Sequence, residues 1–176
     1  VWSPNSREIL AARLNRVQNN LDLLLANCET GAARTVLPEE DRYWINMGGA
    51  PRFLAAGDRF LWTSERSGYR HLYLWSVNGK THTQLTSGEW AVDEIAGVDE
   101  KRELVYYTST EESPLERQLY SARFDGLGKR KLSSGAGTHA ASFSPDGAYY
   151  LDDFSSVSSP AERPVYKKPW FWGVMG

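Results

Sequence analysis

Four stretches of this chain superpose when their turn residues are aligned, and that internal repeat limits the possible folds more than any other feature. Trp2-Ser-Pro-Asn-Ser-Arg-Glu-Ile-Leu10 matches Phe53-Leu-Ala-Ala-Gly-Asp-Arg-Phe-Leu61, then Gly97-Val-Asp-Glu-Lys-Arg-Glu-Leu-Val105, then Phe143-Ser-Pro-Asp-Gly-Ala-Tyr-Tyr-Leu151, with starts 51, 44 and 46 residues apart. Each copy runs from an apolar or small residue through a polar turn into an apolar run, the pattern of a strand, a tight turn and a second strand. Asp146-Gly147 suits a turn that needs positive φ, and Pro4 and Pro145 pre-set φ at the turn entry. Thr30-Gly31, Asn78-Gly79 and Asp125-Gly126 recur in phase as hairpin turns between later strands. Gln84-Leu-Thr-Ser-Gly88 and Lys131-Leu-Ser-Ser-Gly135 then close each period.

Four strands per period is the spacing of β-propeller blades, small antiparallel sheets packed face to face around a channel. A β-sandwich has similar strand spacing but does not repeat in sets of four with the same turn chemistry. The expected fold is therefore all-β: about three four-stranded blades in an incomplete ring. Residues 1–40, 41–88 and 89–135 form the blades, 136–156 start the next, and 157–176 form a divergent C-terminal tail in which Lys167 onward lacks a strand partner. The aromatic content agrees, since 7 Trp, 9 Tyr and 6 Phe favour pleated surfaces. One stretch points elsewhere: Leu10, Leu14, Val17, Leu21 and Leu24 fall at helical intervals. The repeat phase instead makes this region two strands, about 7–14 and 21–27, joined by Asn15 to Asn20.

Charge and composition exclude several function classes. A net charge of −2 with 20 scattered basic residues gives no field for nucleic acid or an anionic membrane. No stretch approaches the ~18 apolar residues of a membrane span, and Val1 to Ser6 lack signal-peptide features. The chain begins on a residue that reads as the middle of an element, which suggests truncation, and its compartment is left open. Cys28, the single cysteine, reads as a small core residue.

Chemistry-bearing candidates are few. His71, His82 and His139 share no ligand spacing with each other or with an acidic cluster, so no metal and no cofactor are expected. His71 reads as a strand-start residue, and nothing in the sequence places it within reach of Ser64 and Glu65. Trp62, Trp75 and Trp90 fall at blade phase and read as packing between blades. Arg66 and Arg70 flank the turn Ser67-Gly68-Tyr69 and are expected to pair with Glu65 and Glu89. Glu39-Glu40, in a loop between blades, and Glu111-Glu112, before Pro114, read as solvated surface charge.

Phe60-Leu-Trp-Thr-Ser-Glu-Arg-Ser-Gly-Tyr-Arg-His-Leu-Tyr73, followed by Gln84-Leu-Thr-Ser-Gly-Glu-Trp90, Val105-Tyr-Tyr107, Pro114-Leu-Glu-Arg117 and Gly137-Thr-His139, resembles the propeller of dipeptidyl peptidase IV-like serine peptidases of the prolyl oligopeptidase family over roughly residues 2–156. The resemblance implies a propeller that covers an α/β-hydrolase domain, the pair removing dipeptides from peptide N-termini, usually after proline or alanine. It implies that the propeller gates and orients peptide substrates while a hydrolase domain absent from this chain performs the chemistry. No Gly-x-Ser-x-Gly nucleophile elbow occurs here, so no catalytic residue is assigned and the chain alone is expected to be inactive. The family's substrate-amine glutamate pair would lie ahead of Trp2, and the role is not carried to Glu39-Glu40 or Glu111-Glu112. Tyr43-Trp-Ile-Asn-Met-Gly-Gly49 matches a family segment lining the substrate entrance but lacks its arginine, and no substrate-binding residue is assigned. The implied partners are peptide substrate, the remaining blades and the hydrolase domain, or a second copy covering the open blade faces. The alternative is a non-enzymatic propeller that binds another protein.

Overall fold

The computed structural model describes residues 1–167 and contains, among them, only strands and turns. The first sheet joins β1 (Glu8–Leu14), β2 (Asn20–Asn27) and β3 (Ala33–Glu40). The second joins β4 (Arg52–Phe53), β5 (Arg59–Ser64), β6 (His71–Ser76) and β7 (His82–Gln84). The third joins β8 (Val92–Asp99), β9 (Leu104–Ser109), β10 (Gln118–Arg123) and β11 (Arg130–Lys131). The last joins β12 (Thr138–Phe143), β13 (Tyr149–Ser155) and β14 (Val165–Lys167). All pairings within these sheets are antiparallel between sequence neighbours, as in propeller blades.

The expected run of blades is present, with two adjustments. The first blade's innermost strand is reduced to a bridge between Trp2 and Ile9. At the other end, the region read as a tail contributes β14, whose Lys167 pairs with Tyr149; the rest of the expected tail lies outside the described residues. The helical reading of the leucines fails, since Leu14 pairs with Leu21 and Leu10 with Leu25 across a regular β1–β2 ladder. Their spacing arises because the strands alternate around a turn, in which Asn15 accepts backbone N–H bonds from Asn19 and Asn20.

Packing follows strand alternation. In the second blade Phe60, Trp62, Tyr73 and Trp75 face the first blade's Leu21, Leu23 and Leu37 in one core. Leu61, Leu72 and Leu74 face Val105, Tyr107 and Tyr120 of the third blade in another. This blade is buried on both faces, which is why its strands read as unbroken apolar runs. The third and fourth blades meet where Tyr106 packs on Phe143, ring centres 4.5 Å apart, and where Arg117 bridges Thr138 in parallel. Gly97 makes room for this contact, because a Cβ there would lie 2.7 Å from the Phe143 ring.

The turn glycines behave as expected: Gly31, Gly57, Gly79, Gly126 and Gly147 all have φ between 65° and 79°. In the third copy the left-handed residue is Glu103, φ 52°, because β8 runs on to Asp99 and its turn is displaced toward β9. Cys28 corrects the sequence reading, for it is exposed. It lies beyond the end of β2, where the Asn27 side chain accepts the Glu29 and Thr30 N–H groups and turns the chain outward.

Candidate functional site

The alternation of strand directions sorts the connections onto two ends of the blade stack. One end carries the short turns such as 54–58, 99–103 and 144–148. The other carries the segment 41–51 and the loops 65–70, 85–91, 110–117, 132–137 and 156–164. Exposed apolar side chains concentrate on this second end: Tyr43, Trp44, Met47, Tyr69, Leu115 and Val157, with Val17 beside them. Among the described residues only Leu127 is such a residue in the turns of the first end.

The segment 41–49 is held rigidly enough to present its aromatics. Asp41 Oδ1 accepts the Tyr43 and Trp44 N–H groups at 2.7 and 3.1 Å. Those bonds stabilise the carboxylate and lower its pKa below the usual aspartate value. The Ile45 side chain is buried and its N–H donates to Gln18 O at 2.7 Å. Asn46 Nδ2 donates to Glu65 Oε2 at 2.9 Å. Gly48 sits against Thr63, whose Oγ1 would be 2.4 Å from a Cβ at that position. Anchored at Ile45 and Gly48, the segment turns Tyr43, Trp44 and Met47 to solvent, 74%, 52% and 53% exposed. Of the three, Trp44 lines a cleft of about 120 Å³, together with Glu39, Asp41, Asn46, Glu65 and Arg66, among others.

The charges of this cleft differ from the sequence reading. Glu39 is the penultimate residue of β3 rather than part of a loop, and its side chain is 9% exposed. Its Oε1 accepts from Trp62 Nε1 at 3.0 Å and from Arg66 at 2.9 Å. A carboxylate this buried requires such partners. Arg66 therefore pairs with Glu39, not Glu65, and lies over the Trp75 ring at 4.9 Å, tying the first blade to the second. Arg70 pairs with Asp93 of the third blade, not Glu89, and donates to Val92 O at 2.6 Å. Asp93 also receives Arg117 at 3.3 Å. Glu40 is exposed as expected, while Glu111 and Glu112 pair with Lys129 and Lys131.

Neither internal histidine is free to act as a base. Ser64 and His71 are cross-strand partners, which the sequence did not anticipate. However, His71 Nε2 lies 3.0 Å from Gly88 O and Nδ1 lies 3.1 Å from Thr86 Oγ1. A carbonyl only accepts, so Nε2 carries the proton and Nδ1 accepts from the threonine hydroxyl. Burial lowers the His71 pKa and favours this neutral form. The Ser64 hydroxyl accepts from Arg66 at 3.1 Å. His139, 2% exposed, contacts buried Asp152 at 2.8 Å. Trp62, Trp75 and Trp90 are buried in the seams between blades. No group of three or more His, Cys, Asp or Glu residues suited to a metal is present among the described residues.

Small antiparallel sheets stacked in chain order, with one loop-rich end bearing an aromatic lip, define a run of β-propeller blades. The family model described as the dipeptidyl peptidase IV (DPP IV) N-terminal region matches residues 1–161, and the chain belongs to that family. It is 32% identical to a probable dipeptidyl peptidase 4 of Emericella nidulans, over 92% of this chain and 23% of that protein. It is 29% identical to a probable dipeptidyl-aminopeptidase B of Pyrenophora teres f. teres, over 96% of this chain and 21% of that protein. The crystal structure of Porphyromonas gingivalis dipeptidyl peptidase 4 superposes with a TM-score of 0.84 at 33% identity, covering 92% of this chain and 23% of that one. The chain thus spans about a fifth to a quarter of the length of the relatives it matches.

Proposed function

We propose that this chain is propeller sequence of a serine-type dipeptidyl peptidase, and that its loop-rich end admits and orients peptide substrates for an α/β-hydrolase domain carried elsewhere in the longer protein. The observation that supports this reading is the concentration of exposed apolar side chains on one end, above all the braced Tyr43, Trp44 and Met47. Exposed aromatics held by a rigid backbone suit recognition, since they offer contact area at little entropic cost. The cleft beside Trp44 is acidic, and its Glu39, Asp41 and Glu65 carboxylates each accept hydrogen bonds from neighbouring groups, so it supplies shape and polarity rather than a reacting group. The remaining blades of the longer protein cover the open faces of the first and last sheets.

The test uses the longer protein with Trp44→Ala and a chromogenic Xaa-Pro amide. Loss of a substrate-binding contact there raises KM by about 3–30-fold while kcat changes little, the pattern of binding lost equally from ground and transition states. An unchanged KM rules out a role for the aromatic lip. Cleavage of the same substrate by residues 1–176 alone would sink the proposal as a whole.

A further inference from the structure

Most of the buried polar side-chain atoms left without a hydrogen-bond partner among the described residues lie together on the third blade: Tyr107 Oη, Ser109 Oγ, Glu111 Oε2 and Tyr120 Oη. Tyr107 and Ser109 are two apart on β9 and so share a face. Tyr120 is the cross-strand partner of Tyr107, with ring centres 5.8 Å apart and planes at 19°. Glu111 continues the same line beyond the strand end, and its charge, after burial, helps to raise both phenol pKa values, that of Tyr120 to about 12. Both phenols therefore keep their protons and are donors in search of an acceptor.

The surroundings close this polar spot from either side. Trp90, from the second-blade side of the seam, stacks over Tyr107 with centres 6.4 Å apart and planes at 3°. Lys129 lies over Trp90, its Nζ 5.5 Å from the ring centre, and pairs with the other oxygen of Glu111. We propose that one ordered water molecule binds in this seam between the second and third blades, held by Tyr107 Oη, Tyr120 Oη, Glu111 Oε2 and Ser109 Oγ. The hydrogen bonds balance. The two phenols donate to the water's two lone pairs, and the water donates to the Glu111 carboxylate and the Ser109 hydroxyl oxygen. Two protonated phenols and a neighbouring ammonium suit a neutral ligand rather than a cation. Through Glu111 the water anchors the 110–117 loop to the interior of the seam, independently of what the loop-rich end recognises.

The test compares Tyr107→Phe, Tyr120→Phe and the double variant by thermal melting, in residues 1–176 or the longer protein. A bridging water predicts that each single change lowers the midpoint by about 2–6 °C. The double change should lower it by less than the sum, because both remove bonds to the same molecule. Midpoints equal to or above that of the parent overturn the proposal, since deleting an unpartnered buried hydroxyl stabilises. If a variant does not fold, the unsubstituted protein decides. Magnetisation transfer from water to the Tyr107 and Tyr120 side chains, or a single solvent peak among the four oxygens in a crystal, supports the proposal. Absence of both, or a peak replaced by rubidium on soaking, overturns it.

Discussion

At the scale of single residues, His71 and Glu39 show how burial decides roles that side-chain type leaves open. His71 is 1% exposed, and burial lowers its pKa from the ordinary 6.5. A histidine that resists protonation when folded but accepts a proton when unfolded makes stability rise with pH wherever the unfolded chain holds more protons. Its contribution is therefore complete above about pH 6.5 and is lost as the pH falls below that value. We expect the thermal midpoint to fall between pH 7 and pH 5, and the fall to be shallower in His71→Gln. A parallel fall in both proteins would assign the effect to other groups. Glu39 reads in the sequence as half of an exposed acidic pair, yet it is the buried acceptor for Trp62 and Arg66. Glu39→Ala strands the indole N–H and a half-buried guanidinium, at a cost of about 1–3 kcal/mol in chemical denaturation. Glu40→Ala, exposed and one residue on, should change stability by no more than ~0.5 kcal/mol.

Among the elements, the hairpin turns record how one blade presses on the next. Gly79 joins β6 to β7 with φ 74°, and a Cβ on it would lie 2.5 Å from Val36 O of β3 in the blade before. Gly126 occupies the same place one blade later, with φ 79° and a Cβ position 2.7 Å from Gln84 O of β7. Gly31 has the same backbone, φ 71°, but nothing within 4 Å. The repeat alone identifies all three as turn glycines, because left-handed φ is a local demand. It cannot separate them, because the second demand is a close approach between blades. Gly31→Ala should cost about 1–2 kcal/mol for conformation alone. Gly79→Ala and Gly126→Ala should cost more, since a backbone carbonyl must also move. Equal losses at all three sites would mean that the blades do not pack as described. The same distinction explains why Arg66 and Arg70 find Glu39 and Asp93 rather than their sequence neighbours: each reaches across a seam.

For the whole molecule, among the described residues the first and last blades each leave one face unmatched. On β1 and β2 the alternation buries Leu10, Leu21, Leu23 and Leu25 against the second blade and leaves Ile9 and Leu24 half-buried on the other side. On the last blade Tyr149, Leu151 and Val165 are exposed. Residues 1–176 alone should therefore associate, and light scattering after size exclusion should report a mass above the 19.8 kDa of one chain. A stable monomer at tens of micromolar would show that these faces tolerate water. In the longer protein Gly31→Ala should become as costly as Gly79→Ala if another blade covers β1. The sequence by itself determined the blade period, most of the turn positions and the strand order as far as β13, because these follow from φ preferences and apolar alternation within some 50 residues. The tertiary structure alone decided which charges are buried and paired, that Cys28 is exposed, and which end of the stack carries the aromatic lip. Those depend on what lies across each seam, and residues that meet there are separated in the chain by a blade length that local pattern does not span.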